Sequence, residues 1–177
     1  MPICMDRVTW KISVAGIRGS GKTSLISRIV YGSDGSSGPV KPLFRKRLNL
    51  TYKENKVVAD LLFQEIMDEA DAEKMLPSSN LILVVADILS RDGLQYASDL
   101  IKYAKNFERK PPIVLVGTKT DLRYEAELWS DDFEKLARKV DVPYFLVSAR
   151  TGDRISDLME HVVSLMLERF YAKKQTS

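Results

Sequence analysis

Eight consecutive residues, Gly16-Ile-Arg-Gly-Ser-Gly-Lys-Thr23, have the types and spacing of a phosphate-binding loop. Glycines let the backbone wrap around a phosphate so that successive N–H groups point inward, and the following helix start adds its positive end. Lys22 would reach the β- and γ-phosphates, and the Thr23 hydroxyl would ligate Mg²⁺. The loop predicts binding of a nucleoside di- or triphosphate, but it does not specify the base.

Two later segments indicate which base is bound. Asp121, in Gly117-Thr-Lys-Thr-Asp121, follows an apolar run and can accept two hydrogen bonds that guanine offers and adenine does not. In Ser148-Ala-Arg150, a backbone N–H could donate to the guanine O6. Alone, Asp121 and Ser148 are equally consistent with a loop cap and a strand-end hydroxyl. Together with the phosphate loop they predict guanine.

The loop, the Thr-Lys-X-Asp element and the Ser-Ala-Arg element follow the order and rough spacing of the Ras superfamily of small GTPases, which the chain resembles from about Lys11 to Phe170. Thr118 stands where most members have Asn, which resembles the Rho branch. The resemblance implies a site for GDP or GTP with Mg²⁺, in which Asp121 reads guanine, Lys119 packs along base and ribose, and Thr118 buttresses the loop. The implied nucleotide-binding residues are Gly16, Arg18, Gly19, Ser20, Gly21, Lys22, Thr23, Ser24, Thr118, Lys119, Asp121, Leu122, Ser148, Ala149 and Arg150.

The second switch departs from the family. Members have Asp-X-X-Gly-Gln after the third strand, for Mg²⁺, the γ-phosphate and the attacking water respectively. The favoured register aligns Asp60-Leu-Leu-Phe-Gln64 with it, so that Phe63 replaces the Gly. This register fits the distance to the next strand, and the segment weakly resembles the first GTPase domain of Miro proteins. It makes Thr23 and Asp60 the metal ligands and Lys22 and Gln64 the catalytic residues. A shifted register makes Asp60 an ordinary strand residue and leaves no Mg²⁺ carboxylate.

The first switch and the loop apex are also unusual. Ser36 and Ser37 are the only candidates for the expected Mg²⁺ ligand of the first switch, and a solvated serine suits both, so no ligand is assigned. Arg18 stands where many relatives have Gly, beside the γ-phosphate. It would either crowd the attacking water or stabilise charge in cis, and we favour crowding.

Alternating apolar runs and amphipathic segments must position these residues. Strands are predicted near Lys11–Ala15, Arg45–Tyr52, Val57–Leu62, Leu81–Ala86, Ile113–Gly117 and Tyr144–Ser148. Helices are predicted near Lys22–Tyr31, Leu94–Phe107, Asp131–Val140 and Ser156–Ala172. The predicted fold is a three-layer α/β P-loop fold, a Ras-like G domain with about six mostly parallel strands, one antiparallel edge hairpin and about five helices. One domain is expected to cover residues 1–177.

Composition limits the remaining possibilities. The chain has 177 residues and a net charge of +3, too mild to demand a nucleic-acid partner. The basic group Lys41, Arg45, Lys46 and Arg47 could be a solvated face or a patch for a partner or membrane surface. Cys4, the sole cysteine, suits a cytoplasmic protein. No signal peptide, membrane-spanning run or lipid anchor is expected if the chain is full length.

These features predict an atypical small GTPase that hydrolyses GTP slowly and meets effector and regulatory proteins through Gly32–Lys41 and about Leu61–Leu76. Phe63 and Arg18 favour a rival, a pseudo-GTPase scaffold that holds nucleotide without useful hydrolysis. The second rival is a P-loop kinase for a small substrate, against which the Thr-Lys-Thr-Asp element argues.

Overall fold

Two stretches of the chain, residues 5–33 and 43–176, are described by a computed structural model. Within them the chain forms six strands, five α-helices and two 3₁₀ helices. The strands are β1 Met5–Gly16, β2 Leu43–Tyr52, β3 Asn55–Glu65, β4 Leu81–Asp87, β5 Ile113–Thr118 and β6 Tyr144–Leu146. The α-helices are α1 Lys22–Tyr31, α2 Glu69–Met75, α3 Arg91–Ala104, α4 Ser130–Val140 and α5 Ile155–Thr176. The 3₁₀ helices are Leu76–Ser78 and Thr120–Glu125.

The strands form one sheet in the order β2-β3-β1-β4-β5-β6. Only the β2–β3 hairpin at its edge is antiparallel among these pairs, and the other neighbours run parallel. The predicted fold class is therefore confirmed. Because parallel strands end at the same edge of a sheet, the loops after β1, β4, β5 and β6 come together there.

Helices cover both faces of the sheet. On one face α1 and α5 bury a cluster that includes Ile12, Val85 and Phe63. On the other face α3 and α4 bury a second cluster that includes Ala15, Leu115 and Phe133. Of the predicted α5 stripe, Leu158, Val162 and Met166 are buried, while Leu165 is half-buried. The continuous apolar runs form central strands of the sheet. Because helices cover these strands on both faces, apolar residues are needed on both.

Several elements differ from their predicted bounds. β1 begins at Met5, and β3 continues to Glu65, past the predicted end at Leu62. In both extensions more exposed and less exposed residues alternate, because successive side chains of a strand face opposite sides of the sheet. Helix α2 was not predicted as an element. Its seven residues are too few for a helical stripe, and the Asp68 side chain caps it by accepting from the Asp71 N–H at 2.8 Å.

Asp6 links β1 to the end of α5, since it accepts hydrogen bonds from the Tyr171 hydroxyl at 2.7 Å and the Lys174 ammonium at 2.5 Å. The bond from Lys174, followed by that from Tyr171, lowers the pKa of Asp6 from its ordinary value of 3.8. The folded state then binds fewer protons than the unfolded state near that pH. The stabilisation is therefore present above about pH 4 and is lost as pH falls through the lowered pKa.

We expect Asp6→Asn to lower the free energy of unfolding by about 1 kcal/mol at pH 7, because the replacement weakens these charge-assisted bonds. The difference from the parent protein should shrink at pH 3. Urea unfolding of both proteins at the two pH values measures it. Asp157→Asn, which removes an exposed partner 3.8 Å from Arg154, is the control and should change little. An Asp6→Asn effect of equal size at both pH values would contradict the explanation.

Candidate nucleotide-binding site

The phosphate loop joins β1 to α1, and its backbone depends on glycine. A Cβ atom on Gly16 would lie 2.3 Å from the Val85 carbonyl oxygen, so a side chain there would collide with β4. Gly19 and Gly21 have φ angles of +84° and +95°, a region that other residues rarely adopt. The loop therefore has the left-handed turns with which successive N–H groups enclose an anion.

Lys22 lies across this loop. Its ammonium donates to the Gly16 carbonyl at 2.8 Å and to the Ile17 carbonyl at 3.1 Å, and the residue is buried. Burial lowers the pKa of Lys22, and the nearby negative charge of Glu65 opposes this effect. A partly desolvated cation held over the loop backbone can bind a phosphate strongly, because little water must be displaced from it.

Thr23 contacts a carboxylate that sequence reasoning missed. Its hydroxyl donates to the Glu65 side chain at 2.7 Å, and Glu65 is buried at the end of β3. Glu65 pairs with Val14, near the end of β1 and the start of the loop. The structure therefore places a hydroxyl and a carboxylate side by side next to Lys22, although the sequence assigned the carboxylate to another residue.

Asp60 requires a correction. It lies inside β3 opposite Thr9, five residues before Glu65, which corresponds to about 17 Å along a strand. Its carboxylate is bonded to Arg47 of β2 at 2.8 Å, and this bond lowers the pKa of Asp60. Asp60 is therefore an ordinary strand residue, as in the less favoured register. Phe63, the expected replacement for the switch glycine, is instead fully buried in the core.

Gln64 also lies away from the loop. Successive strand residues face opposite sides of the sheet, so Gln64 points away from the face on which Glu65 meets Thr23. Its amide donates to the Ser13 hydroxyl at 3.3 Å, on the far side of β1. The structure does not bring Gln64 together with Lys22, because β3 continues past it instead of ending at Leu62.

The side chains of Thr118 and Lys119, where β5 ends, form hydrogen bonds with the phosphate loop. The Thr118 hydroxyl donates to the Ser20 carbonyl at 2.5 Å, and the Lys119 ammonium donates to the Gly19 carbonyl at 2.7 Å. Lys119 also forms an ion pair with Asp87 at 3.3 Å, and its backbone has a φ of 65°. The strand end after β5 and the loop after β1 therefore form one connected surface.

Asp121 and Ser148 are brought together. The Ser148 hydroxyl donates to one Asp121 carboxylate oxygen at 2.8 Å and accepts from the Thr151 N–H at 3.1 Å. The Thr120 N–H donates to the Val147 carbonyl at 3.3 Å, which joins the two loops. Since a carboxylate has about four acceptor positions, Asp121 is oriented by Ser148 and can still accept further bonds.

Arg28 of α1 supports the Ser148–Arg150 loop, and sequence reasoning missed it. Its guanidinium donates to three carbonyls, those of Ala149 at 2.5 Å, Arg150 at 2.6 Å and Gly32 at 2.8 Å. Several contacts from one planar group fix the loop backbone more firmly than one bond would. Nothing in the sequence signals this role, because the loop is more than 120 residues away.

We expect Arg28→Ala to weaken guanine-nucleotide binding about tenfold, equivalent to about 1.4 kcal/mol, because the Ala149–Arg150 backbone loses its support. The loss should appear as faster release of a fluorescent GDP analogue in stopped flow. Arg138→Ala, on the exposed side of α4, is the matched control and should leave the release rate unchanged. Equal rates for Arg28→Ala and the parent protein would refute a supporting role.

The remaining predicted residues have less specific positions. Arg18 is exposed on the loop, Ser24 is half-buried in the first turn of α1, and Leu122 is half-buried in the second 3₁₀ helix. Ser20 is buried, and its hydroxyl has no hydrogen-bond partner within residues 5–33 and 43–176. Ser36, Ser37 and most of Gly32–Lys41 lie outside the described residues, as do Cys4 and Lys41.

A sequence profile of the Ras family matches residues 11–168. The chain belongs to the Ras family. Ras-related protein Rab-28 of Caenorhabditis elegans is 30% identical over 154 residues, covering 82% of this chain and 62% of that protein. Ras-related protein Rab-27B of Bos taurus is 24% identical over 148 residues, covering 80% of this chain and 62% of that protein. The chain thus spans less than two thirds of the length of these curated relatives, and the predicted superfamily is confirmed.

The contact between Thr23 and Glu65 suggests a different alignment of the segment after β3 with the family motif. If Glu65 takes the place of the Asp in the family motif Asp-X-X-Gly-Gln, then Asp68 replaces the Gly and Glu69 replaces the Gln. This Ras-family chain would then carry acidic side chains at both positions.

Among the described residues, no cluster of three or more His, Cys, Asp or Glu side chains suits a metal ion. In the same part of the chain, no helix is long and apolar enough to cross a membrane.

Proposed function

We propose that this Ras-family protein is a guanine-nucleotide-dependent switch that binds GDP and GTP with Mg²⁺ and hydrolyses GTP slowly. One observation carries the proposal, the two hydrogen bonds that tie Thr118 and Lys119 to the carbonyls of Ser20 and Gly19. They put the expected base-reading element beside the expected phosphate loop. A ligand with a base at one end and phosphates at the other requires this arrangement.

Thr23 and Glu65 fit Mg²⁺ as its protein ligands. The ion prefers oxygen, and nucleotide-binding proteins usually hold it through one or two side chains plus substrate phosphates. A buried carboxylate next to a hydroxyl in the first turn of α1 offers this donor set. When bound, Mg²⁺ would neutralise charge on the β- and γ-phosphates. In this proposal Glu65 takes the role that the sequence assigned to Asp60.

The proposed reaction is attack of water on the γ-phosphate of GTP. Lys22 and the loop N–H groups would stabilise the negative charge that develops on the phosphate oxygens. Asp68 and Glu69 support a slow rate, because carboxylates near that charge oppose its development. Asp68 also carries a side chain, which caps α2, at the position where the family's glycine permits close approach of the backbone to the γ-phosphate.

Single-turnover hydrolysis of GTP preloaded on the purified protein, with an ATP-loaded control, tests this function. Unassisted Ras-type hydrolysis proceeds at about 10⁻⁴ per second, and we expect a GTP-specific rate at or below that value. Arg18→Gly should raise the rate, since it removes a side chain from beside the attacking water. A slower Arg18→Gly variant would show that Arg18 stabilises charge in cis. Failure to load GTP would refute the proposal.

The second candidate function is a scaffold that holds guanine nucleotide without useful hydrolysis. The acidic residues Asp68 and Glu69, aligned with the family's Gly and Gln, favour it. Bound GTP that remains intact for hours in the same assay would establish this function in place of the switch. ATP that displaces GDP at comparable concentration would instead support a P-loop kinase.

We further infer that effector or regulatory proteins contact the segment from Ile66 to Met75. The segment follows Glu65 directly in the chain, so a displacement of Glu65 on Mg²⁺ binding would be transmitted to it. Met67 is 69% exposed there and offers an adaptable apolar contact. The first part of the expected Leu61–Leu76 switch, up to Glu65, is strand β3 and is held on both sides by β1 and β2.

A further inference from the structure

Strand β1 extends beyond its neighbour on one side. It pairs with β3 from Met5 to Val14, but its pairing with β4 begins only at Ile12, opposite Leu81. The overhang from Met5 to Lys11 therefore has a strand neighbour on one side only, among the residues that the structure describes. Unpaired main-chain groups at such an edge can accept another strand.

The direction of the open main-chain groups follows from Lys11. Its N–H donates to the Asn80 side chain at 2.7 Å, and its carbonyl accepts from the Asn80 N–H at 2.8 Å, so both groups face the β4 side. Alternate residues of a parallel strand point to the same neighbour. The N–H and carbonyl of Arg7 and Thr9 therefore face the open side, whereas those of Val8 and Trp10 face β3.

A groove of about 320 Å³ runs along this open edge. Arg7 and Thr9 border it on β1, Phe170 and Met166 border it on α5, and Asn80 lies at the end where β4 begins. The groove lies on β1 before its pairing with β4, whereas the nucleotide site lies beyond the other end of the same strand. It is thus separate from the residues to which the proposed function assigns a role.

The groove is basic. Arg7, Arg109, Arg169 and Lys173 line it, and among the residues that the structure describes its lining includes no Asp or Glu. Arg169 is positioned by a bond from its guanidinium to the Lys110 carbonyl at 3.3 Å. The whole chain has a net charge of only +3, so this concentration of cations is local. Such a surface attracts and selects an acidic partner.

We propose that this groove binds an acidic segment of a partner protein in extended conformation, added as a strand to the free edge of β1. The open edge offers both N–H donors and carbonyl acceptors, and an extended peptide backbone satisfies both. A phosphate group mainly accepts hydrogen bonds, so it would leave the Arg7 and Thr9 carbonyls to water. The arginines select acidic side chains, and Phe170 and Met166 offer contacts to apolar side chains between them.

The test uses a fluorescein-labelled nonapeptide of alternating glutamate and valine with the full chain, followed by fluorescence anisotropy. We expect saturable binding that weakens about tenfold or more in the double variant Arg109→Glu, Arg169→Glu. The double variant Lys135→Glu, Lys139→Glu on exposed positions of α4 makes the same change in charge away from the groove and should bind normally. Unchanged guanine-nucleotide binding by both double variants verifies that they are folded.

Hydrogen exchange separates strand addition from simple charge attraction. The Arg7 and Thr9 amides should exchange fast in the free protein and slowly with peptide, whereas the Val8 and Trp10 amides should be slow in both. Binding that leaves the Arg7 and Thr9 amides fast would overturn the proposal. So would equal weakening by the two double variants, failure of the peptide to bind, or binding of anionic lipid vesicles in preference to the peptide.

Discussion

Asp121→Asn is expected to turn a guanine site into a xanthine site. In the proposed site the carboxylate would accept hydrogen bonds from the guanine N1–H and 2-amino group, whereas xanthine carries a carbonyl oxygen in place of that amino group. An asparagine oxygen can still accept the bond from Ser148, which meets one oxygen of Asp121 at 2.8 Å. The asparagine NH₂ would then face the base, where it opposes the guanine amino group and donates to the xanthine oxygen.

We expect Asp121→Asn to lower the affinity for GDP by about 10³-fold or more and to raise the affinity for xanthosine diphosphate. Competition of both nucleotides against a fluorescent GDP or xanthosine diphosphate analogue measures the change. Asp131→Asn, on an exposed residue in the first turn of α4, is the matched control. Xanthosine diphosphate binding itself reports an intact fold. Loss of both nucleotides in a variant whose urea unfolding matches that of the parent protein would show that Asp121 only shapes the loop.

Glu65→Gln is expected to remove the effect of Mg²⁺ on nucleotide release. Glutamine has the same shape and can still accept the Thr23 hydroxyl bond, which is 2.7 Å long in the structure, but it lacks the charge that attracts the cation. Loss of a group that supports a metal site typically costs about 10–100-fold in affinity. GDP release in millimolar Mg²⁺ should therefore become about 10–100-fold faster, close to the rate of the parent protein in a chelator.

Asp60→Asn is the matched control for this experiment. It removes one carboxylate from the same strand, but from a residue that is bonded to Arg47 and lies away from the loop. Mg²⁺ should slow GDP release in Asp60→Asn as it does in the parent protein. If Asp60→Asn loses the metal effect and Glu65→Gln keeps it, the sequence-based register is right in solution and the assignment of Glu65 is wrong.

The sequence was sufficient for elements whose signal is local. α1 has the predicted bounds, Lys22–Tyr31, because glycines and an apolar strand frame it. β4 and β5 begin at the predicted residues, Leu81 and Ile113, because their apolar runs are continuous. The bond from Thr118 to the phosphate loop is compatible with the buttressing that the family resemblance implied, whereas the packing of Lys119 along base and ribose stays a prediction.

The carboxylate that accepts from Thr23 could not be identified in this way. Asp60 and Glu65 are both acidic residues on β3, and which of them meets Thr23 depends on where the strand ends. That end is fixed by pairing with β1, which is a contact between distant residues. Asp60-Leu-Leu-Phe-Gln64 also imitates the family motif. Its Phe63 is a buried strand residue, a fact that only the register of β3 on β1 reveals.

Arg28 was missed for a related reason. It lies on a short helix whose sequence is ordinary, and its three carbonyl acceptors belong to loops that carry no signal for an arginine. Main-chain acceptors have no residue type, so no pattern in the sequence can point to them. Contacts of this kind become visible only once the loops are placed in three dimensions.

Helix α1 contacts both ends of the proposed nucleotide site. Lys22 and Thr23 begin it at the phosphate side, and Arg28, about 9 Å further along, holds the loop of Ala149 and Arg150. A tilt of α1 would weaken the contacts at the phosphate side and at the base side together. If the proposed switch is correct, a regulatory protein that displaces α1 alone would weaken the binding of the phosphates and of the base in one step.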